Sequence, residues 1–190
     1  MDALDALHKR VSSPRLSGRV DKSALNNILR AALRAPDHAQ LRPWRFLTIS
    51  GVGREHLGEL FARARLQEDP SLGTGDLEKV KGKPLRAPVL IVAIASIKEH
   101  PKVPEVEQIL STGAAVQNML VAAFAQEVGA MWRTGSLTYN KVVTEGLGLV
   151  TGETIVGFLY LGEPEGSVKT IKELDIKEFT QEWSDSLGSN

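Results

Sequence analysis

The chain has 190 residues, of which 42% are apolar and 24% are charged, a composition typical of one globular domain with a real core. Its 23 basic and 23 acidic residues balance, so it lacks the basic excess that favours nucleic-acid binding through counterion release. The absence of cysteine excludes disulfides, thiolate nucleophiles and cysteine-ligated metals.

The first half of the chain reads as three helices and one short strand. Asp2 caps the first predicted helix, and Asp21 opens a second, with the loop SSPRLSGR between them. The second helix ends before Pro36, because the residue before a proline avoids the α region. A strand is predicted at Arg45–Ser50, and apolar residues at helical spacing mark a third helix around residues 57–64.

The second half contains the strongest strand signal. Ala87–Ala95 is a continuous apolar, β-branched run, typical of a central strand covered on both faces. An uncharged helix over Ile109–Gln126, a strand at Ala130–Arg133, a helix at Lys141–Leu147 and a strand at Thr154–Leu161 follow. Without strict βαβ alternation, the chain is predicted to be a single α+β domain over residues 1–190, a sheet sandwiched by helices.

The helix Ile109–Gln126 is long enough to span a bilayer, but its composition favours a buried core or a dimer interface. The helix has too many polar residues for the hydrocarbon interior of a bilayer: Ser111, Thr112, Gln117, Asn118 and Gln126. The start MDALDALHKR lacks the apolar segment of a signal peptide. We therefore expect a cytoplasmic protein.

Several familiar sites are excluded by their spacing. GVGREH at Gly51 lacks the third glycine of a dinucleotide-binding turn, and neither a GxxxxGK[ST] nor an HExxH motif occurs. The four histidines are too scattered to suggest a zinc site, so no metal is expected. Asp37 and His38 do not form a hydrolase triad with Ser136, because adjacent residues rarely orient each other and TGSLT is not a GxSxG elbow.

Three polar clusters combine fixed cations with hydroxyl or backbone donors. Such groups suit a phosphate, and the indoles and small turns suit a flat heterocycle. Taken singly, each cluster has an ordinary explanation, since arginines at helix ends interact with carbonyls and a tryptophan beside a proline packs in the core. The clusters are Arg10–Ser12 with Arg15, then Arg34, Asp37, His38, Arg42 and Trp44, then Trp132–Ser136.

The order of several motifs resembles that of the FMN-dependent nitroreductase family, and most closely its short bacterial branch. The resemblance runs from Met1 to about Pro164. It rests on MDALDALHKRVSS, RAPDHAQLRPWRFLTI, KVPEVEQ, STGAAVQNMLVAA, GAMWRTG and IVGFLYLG.

The resemblance implies a homodimer with a mostly antiparallel sheet and one FMN in each of two sites shared between subunits. Residue by residue, it places Arg10, Val11 and Ser12 on the flavin phosphate and ribityl chain. Arg34 and His38 would approach the same flavin from the partner subunit. Trp132, Arg133 and Thr134 would line it after the long helix. No catalytic side chain is implied, because the cofactor carries the chemistry.

The chain departs from the family pattern at two motifs and after Pro164. The usual Arg-Arg-Ser reads Arg10-Val11-Ser12, so one cation is missing. The common Asn-x-Gln-Pro-Trp reads Gln40-Leu41-Arg42-Pro43-Trp44, and Arg42 has no assigned role. The tail after about residue 165 is expected either to wrap the partner or to be disordered.

The family implies an oxidoreductase in which NAD(P)H reduces FMN and an acceptor such as a nitroaromatic or a quinone then takes the electrons, a ping-pong scheme. A flavin-storing or flavin-sensing module without turnover is the alternative, and a plain structural domain is third. The sequence does not identify the acceptor or distinguish NADH from NADPH.

Overall fold

The computed structural model describes residues 1–166 and 170–183, which contain six α-helices and five β-strands. The helices are α1 (Ala3–Lys9), α2 (Lys22–Ala32), α3 (Val52–Glu68), α4 (Thr74–Lys81), α5 (Glu105–Ala125) and α6 (Lys141–Gly146). The strands are β1 (Leu16–Ser17), β2 (Trp44–Ser50), β3 (Val89–Ser96), β4 (Gly129–Arg133) and β5 (Glu153–Pro164).

The five strands form one sheet in which every pairing is antiparallel. Across the sheet the order is β4, β5, β3 and β2, and the short β1 pairs with the C-terminal end of β5. The predicted α+β fold with a mostly antiparallel sheet is confirmed. Strands β2 and β4 are the edges.

Alternate residues of β3 point to two separate apolar clusters, one on each face of the sheet. Leu90, Val92 and Ile94 belong to the cluster that contains the buried residues of α3 and α6. Ile91 and Ala93 belong to the cluster formed with α2 and α5. The prediction of a central strand covered on both faces is therefore confirmed.

Helix α5 packs on α2 and on the sheet. By length and composition it could cross a membrane, but its packing identifies it as a core helix. Met119 and Leu120 are buried inside the chain, so the middle of this helix is core, and the expected dimer interface stays a prediction. Val106 and Leu110 near its start are 58% and 65% exposed and remain available for a partner.

The sequence prediction misses two elements and places the start of a third too late. Helix α4 was missed because its GTGD start reads as a turn, and β1 was missed because it is two residues long. Helix α5 begins at Glu105 rather than Ile109, because Pro104 lies at its N-cap and the acidic first turn suits the helix dipole.

Strand β5 contains a β-bulge beside its glycine. The register with β3 shifts next to Gly157, which leaves Val156 with no partner residue on β3. The indole nitrogen of Trp132 donates to the Val156 carbonyl oxygen at 3.3 Å. The bulge thus fixes the Trp132 ring over Gly157.

We expect Gly157→Ala to lower the free energy of unfolding by about 1–3 kcal/mol through overpacking. An added Cβ would overlap the Trp132 indole nitrogen and lie 3.0 Å from the Arg133 carbonyl oxygen. Urea unfolding followed by tryptophan fluorescence measures the loss. Gly113→Ala is the control, because its Cβ would lie 3.9 Å from the same indole, and it should gain about 0.5–1 kcal/mol in α5. Equal stabilities of the two variants would contradict the tight packing at Gly157.

A second stability test concerns the ion pair between Arg45 on β2 and Glu153 at the start of β5. The Arg45 Nε and Nη2 atoms donate to the two carboxylate oxygens at 2.7 and 2.6 Å, and the Glu153 side chain is 5% exposed. These hydrogen bonds hold the pKa of Glu153 below its usual value. The pair therefore adds stability above the unfolded-state pKa of a glutamate and loses it as pH falls through the lowered pKa.

We expect Glu153→Gln to lower the free energy of unfolding at pH 7 by about 1–2 kcal/mol, the difference between charged and neutral hydrogen bonds. The deficit should shrink toward zero as pH falls below the lowered pKa of Glu153. Urea titrations at several pH values measure it. Glu145→Gln, which breaks an exposed pair with Lys141, should change stability by less than about 0.5 kcal/mol. A deficit independent of pH would contradict the ion-pair explanation.

Candidate functional site

The segment after α1 runs beside the edge strand β4. The Ser13 amide donates to the Ala130 carbonyl oxygen at 2.9 Å, and the Arg133 Nη2 atom donates to the Pro14 carbonyl oxygen at 3.4 Å. Arg10 is the residue that closes α1 and is half-buried. The fold thus brings the first and third predicted clusters together.

The end of β4 sends its side chains to opposite faces of the sheet. Trp132 packs with the cluster beneath α5. The Arg133 guanidinium carbon lies 5.3 Å from the centroid of the Tyr160 ring on the other face. The Arg133 Nε atom is buried and has no hydrogen-bond partner within the described residues. Thr134 follows as an exposed residue at the start of a turn.

A cavity of about 490 Å³ opens beside this turn and contains Trp132, Arg133 and Thr134 in its wall. Its cations are Lys83, Arg86 and Arg133, and none of its described lining residues carries a carboxylate. Its aromatic rings are those of Phe61, Phe158 and Tyr160, besides Trp132. Such a wall suits a flat, negatively charged ligand.

Two pKa shifts describe the electrostatics of this cavity. Burial lowers the pKa of Lys83, and repulsion from Arg65 and Arg86 lowers it further. Burial raises the pKa of Tyr160, so its phenol keeps its proton at neutral pH. The lining of this cavity is therefore positively charged and rich in hydrogen-bond donors.

Val11 and Ser12 line a second cavity, of about 450 Å³, between the segment after α1, the C-terminal part of α5 and the end of β5. Its lining is mainly apolar, with Leu120 and Phe124 from α5. The two cavities have no lining residue in common, but Arg133 in the wall of the first donates to the Pro14 carbonyl oxygen in the wall of the second.

The loop before β2 has an unusual backbone. Ala39, Gln40 and Arg42 have φ angles of 60°, 54° and 49°, the left-handed region that favours glycine. The Arg42 amide donates to Asp37 Oδ2 at 2.7 Å, which fixes this shape from within. Strain in residues other than glycine is commonly found at functional sites.

Among the described residues, four side-chain contacts fasten the same loop to its neighbours. Ser111 and Thr112 of α5 donate to the carbonyl oxygens of Pro36 and Pro43 at 2.6 and 3.0 Å. The remaining two contacts join Lys98 Nζ to the Leu41 carbonyl oxygen at 2.5 Å, and His38 Nδ1 to Glu107 Oε2 at 2.8 Å.

Arg34 and His38 line neither cavity. Both are exposed, and the Arg34 guanidinium makes no ion pair or hydrogen bond within residues 1–166 and 170–183. A single chain therefore does not bring these two residues to the Arg10–Ser12 segment or to Trp132–Thr134. Their assignment to a partner's site remains a prediction.

The first cavity, which we call the cationic cavity, has three polar lining residues that sequence reasoning missed: Lys83, Arg86 and Tyr160. Lys83 and Arg86 flank a proline in the turn that leads into β3, and two cations just before a buried strand were a usable signal. Tyr160 gave a weaker signal, because its hydroxyl group is a polar group within the mainly apolar strand TIVGFLYL.

Comparison with known proteins agrees with the fold. The family model described as the nitroreductase family matches residues 17–163. YdjA of Escherichia coli K12, named as an NAD(P)H nitroreductase, is 42% identical over 90% of this chain and 92% of its own. A Haemophilus influenzae protein of the same description is 31% identical over 94% of this chain and 98% of its own.

Solved structures show the same fold. A nitroreductase-like family protein from Bacillus cereus superposes with a TM-score of 0.82 at 24% identity, covering 96% of both chains. A Bacteroides fragilis nitroreductase with bound FMN superposes with a TM-score of 0.71 at 19% identity, covering 96% of this chain and 100% of its own. With these matches along most of its length, the chain belongs to the nitroreductase family, a family of oxidoreductases.

Proposed function

We propose that this protein is an FMN-dependent oxidoreductase that takes reducing equivalents from NAD(P)H and passes them to a small acceptor such as a nitroaromatic or a quinone. One observation carries the proposal: the two residues after Arg10–Ser12 contact β4, Ser13 at Ala130 and Pro14 at Arg133, and Trp132–Thr134 lie in the wall of a cavity lined by cations and aromatic rings. The names of the relatives support the donor NAD(P)H. The bound FMN of the Bacteroides fragilis neighbour supports the cofactor.

The residues present fit FMN, which joins a flat ring system to a phosphate dianion. The cavity beside Trp132–Thr134 combines aromatic rings with the cations Lys83, Arg86 and Arg133, which suits a flat ring system that takes on negative charge. The buried Arg133 Nε atom is a donor that still needs an acceptor. The uncharged side chain of Val11 leaves Arg10 and Ser12 as the polar side chains of the first motif.

In this proposal Arg10, Val11 and Ser12 hold the phosphate and ribityl chain, and Trp132, Arg133 and Thr134 line the ring system. FMN, when bound, supplies a reversible acceptor for the hydride of NAD(P)H. The protein orients it, and its fixed cations stabilise negative charge without having to reorganise. The two substrates then use one site in turn, which is a ping-pong scheme.

The second part of the proposal is a cytoplasmic homodimer whose flavin sites are shared, with Arg34 and His38 reaching the partner's FMN. The exposed apolar residues Val106 and Leu110 beside this loop support a partner surface there. The described part of the tail also exposes large apolar side chains, which supports packing on the partner. They are Ile171, Leu174, Ile176, Phe179 and Trp183. Residues 167–169 and 184–190 of the tail lie outside the described residues.

We expect the purified protein to be yellow with one FMN per subunit, and anaerobic NADH or NADPH to bleach it. Adding a quinone should restore the colour, because the acceptor removes the electrons. Absorbance of the bound flavin, with chromatography of the released cofactor, measures both steps. A colourless protein that takes up no FMN would reject the proposal. Bound FMN that stays oxidised under both nucleotides would favour the flavin-binding module.

We expect Arg10→Ala and His38→Ala to weaken FMN binding by about ten- to a hundredfold each, since a hydrogen bond involving a charged group contributes about 1.5–3 kcal/mol. A mixture of the two variants distinguishes a shared site from a one-subunit site. In a mixed dimer, one shared site carries both lesions and the other carries neither. Titration of FMN should then recover about one tight site per mixed dimer.

Arg19→Ala is the control for this experiment, because the Arg19 side chain is 87% exposed and belongs to neither cluster. It should bind FMN as the parent chain does. A mixture that regains no tight site, although exchange of chains is verified, would refute the shared site while leaving FMN binding itself intact.

A further inference from the structure

Tyr160 on β5 borders the cationic cavity and is only 4% exposed. Its hydroxyl group makes no hydrogen bond within the described residues. A buried tyrosine normally places its hydroxyl on a partner, because an unpaired polar group in an apolar site is costly. The Tyr160 hydroxyl is not among the buried polar atoms without a partner, so it is open to the cavity, where water or a ligand can accept its hydrogen bond.

Arg133 presents a second unused donor next to it. The guanidinium lies over the Tyr160 ring, and the Nη2 atom is held by the Pro14 carbonyl oxygen. The Nε atom is buried and has no partner among the described residues. A guanidinium can only donate hydrogen bonds, and a phenol donates one when its partner is an anion. Two neighbouring donors thus border one cavity, and both lack an acceptor.

An ordinary core role would explain the ring of Tyr160 but not its hydroxyl. Phe61 and Phe158 already form an edge-to-face pair in the same wall, with ring centroids 5.4 Å apart, and a third phenylalanine would fill the apolar space equally well. The lining also offers no carboxylate to accept from the hydroxyl. Burial raises the pKa of Tyr160, so the group remains a donor at neutral pH.

We propose that Tyr160 and Arg133 are paired, fixed donors that stabilise negative charge on the bound cofactor. The inference rests on the proposed FMN function and adds Tyr160, which belongs to none of the three sequence clusters. Arg133 is held by Pro14 and by the Tyr160 ring, so the pair is oriented before a ligand arrives. Because flavin reduction adds negative charge, the pair favours the reduced form of FMN.

The chain has two tyrosines, which gives a matched pair of variants. Tyr160→Phe removes the hydroxyl inside the cavity, and Tyr139→Phe makes the same change at a side chain that is 77% exposed. The measurements are the dissociation constants for oxidised and reduced FMN, the midpoint potential of the bound flavin and the melting temperature of the FMN-free protein.

For Tyr160→Phe we expect about tenfold weaker binding of reduced FMN and a smaller change for oxidised FMN. If oxidised binding is unchanged, a tenfold loss corresponds to a midpoint potential about 30 mV more negative for a two-electron couple. The FMN-free melting temperature should equal that of the parent chain, because the hydroxyl has no protein partner to lose. Tyr139→Phe should match the parent chain throughout.

Tyr160→Phe with parental affinities and potential would overturn this inference and leave the proposed function intact. A parent chain that takes up no FMN would overturn both. A clearly lower melting temperature of the FMN-free Tyr160→Phe protein would also overturn it, since the hydroxyl would then have a structural partner.

Discussion

Strand β3 has apolar side chains on both faces, and this constraint arranges the other layers of the molecule. Helices must cover each face, which α3 and α6 do on one side and α2 and α5 on the other. Strands β2 and β5 pair with the backbone N–H and C=O groups of β3, which leaves β2 and β4 as the edges of the sheet. An edge offers unpaired backbone groups, and at β4 the segment after α1 uses one of them. The first and third polar clusters lie beside this edge, whereas the loop with Arg34 and His38 precedes the opposite edge strand, β2.

Helix α5 joins the core to the loops through a few buried polar residues. Gln108 accepts from the Lys98 amide at 2.9 Å and donates to the Lys98 carbonyl oxygen at 2.8 Å. Ser111 and Thr112 hold the loop before β2 in the same way. Each of these buried groups is therefore satisfied by a loop backbone rather than by another helix. Ser111 and Thr112, two of the polar residues that argued against a membrane span, are thus the ones that hold the loop before β2.

The sequence was most informative where one local pattern decides the structure. The β-branched run of β3 and the Asp2 cap, whose carboxylate accepts from the Leu4 amide at 2.9 Å, needed no knowledge of distant residues. Boundaries were missed where local signals conflict, as at Pro104, which can end a helix or precede one. The two-residue strand β1 exists only because β5 lies beside it.

The candidate site was predictable only in part, because it depends on contacts between distant segments. The motif order implied the clusters at Arg10 and Trp132, but no spacing shows that Arg133 lies over Tyr160 or that Lys83 reaches the same cavity. The left-handed backbone at Ala39 was also unpredictable, since alanine has no preference for it. It is imposed by the contacts around the loop.

That imposed shape has a consequence for engineering. Each of the three residues in the left-handed region carries a conformational energy of order 1 kcal/mol. The contacts of the loop with α5 and Lys98 offset this energy. Glycine at these positions would remove the strain and so is an obvious route to a more heat-resistant protein. It would also let the loop sample many shapes, at the segment that carries His38. Thermostability gained there would come with a less sharply defined position of the His38 side chain.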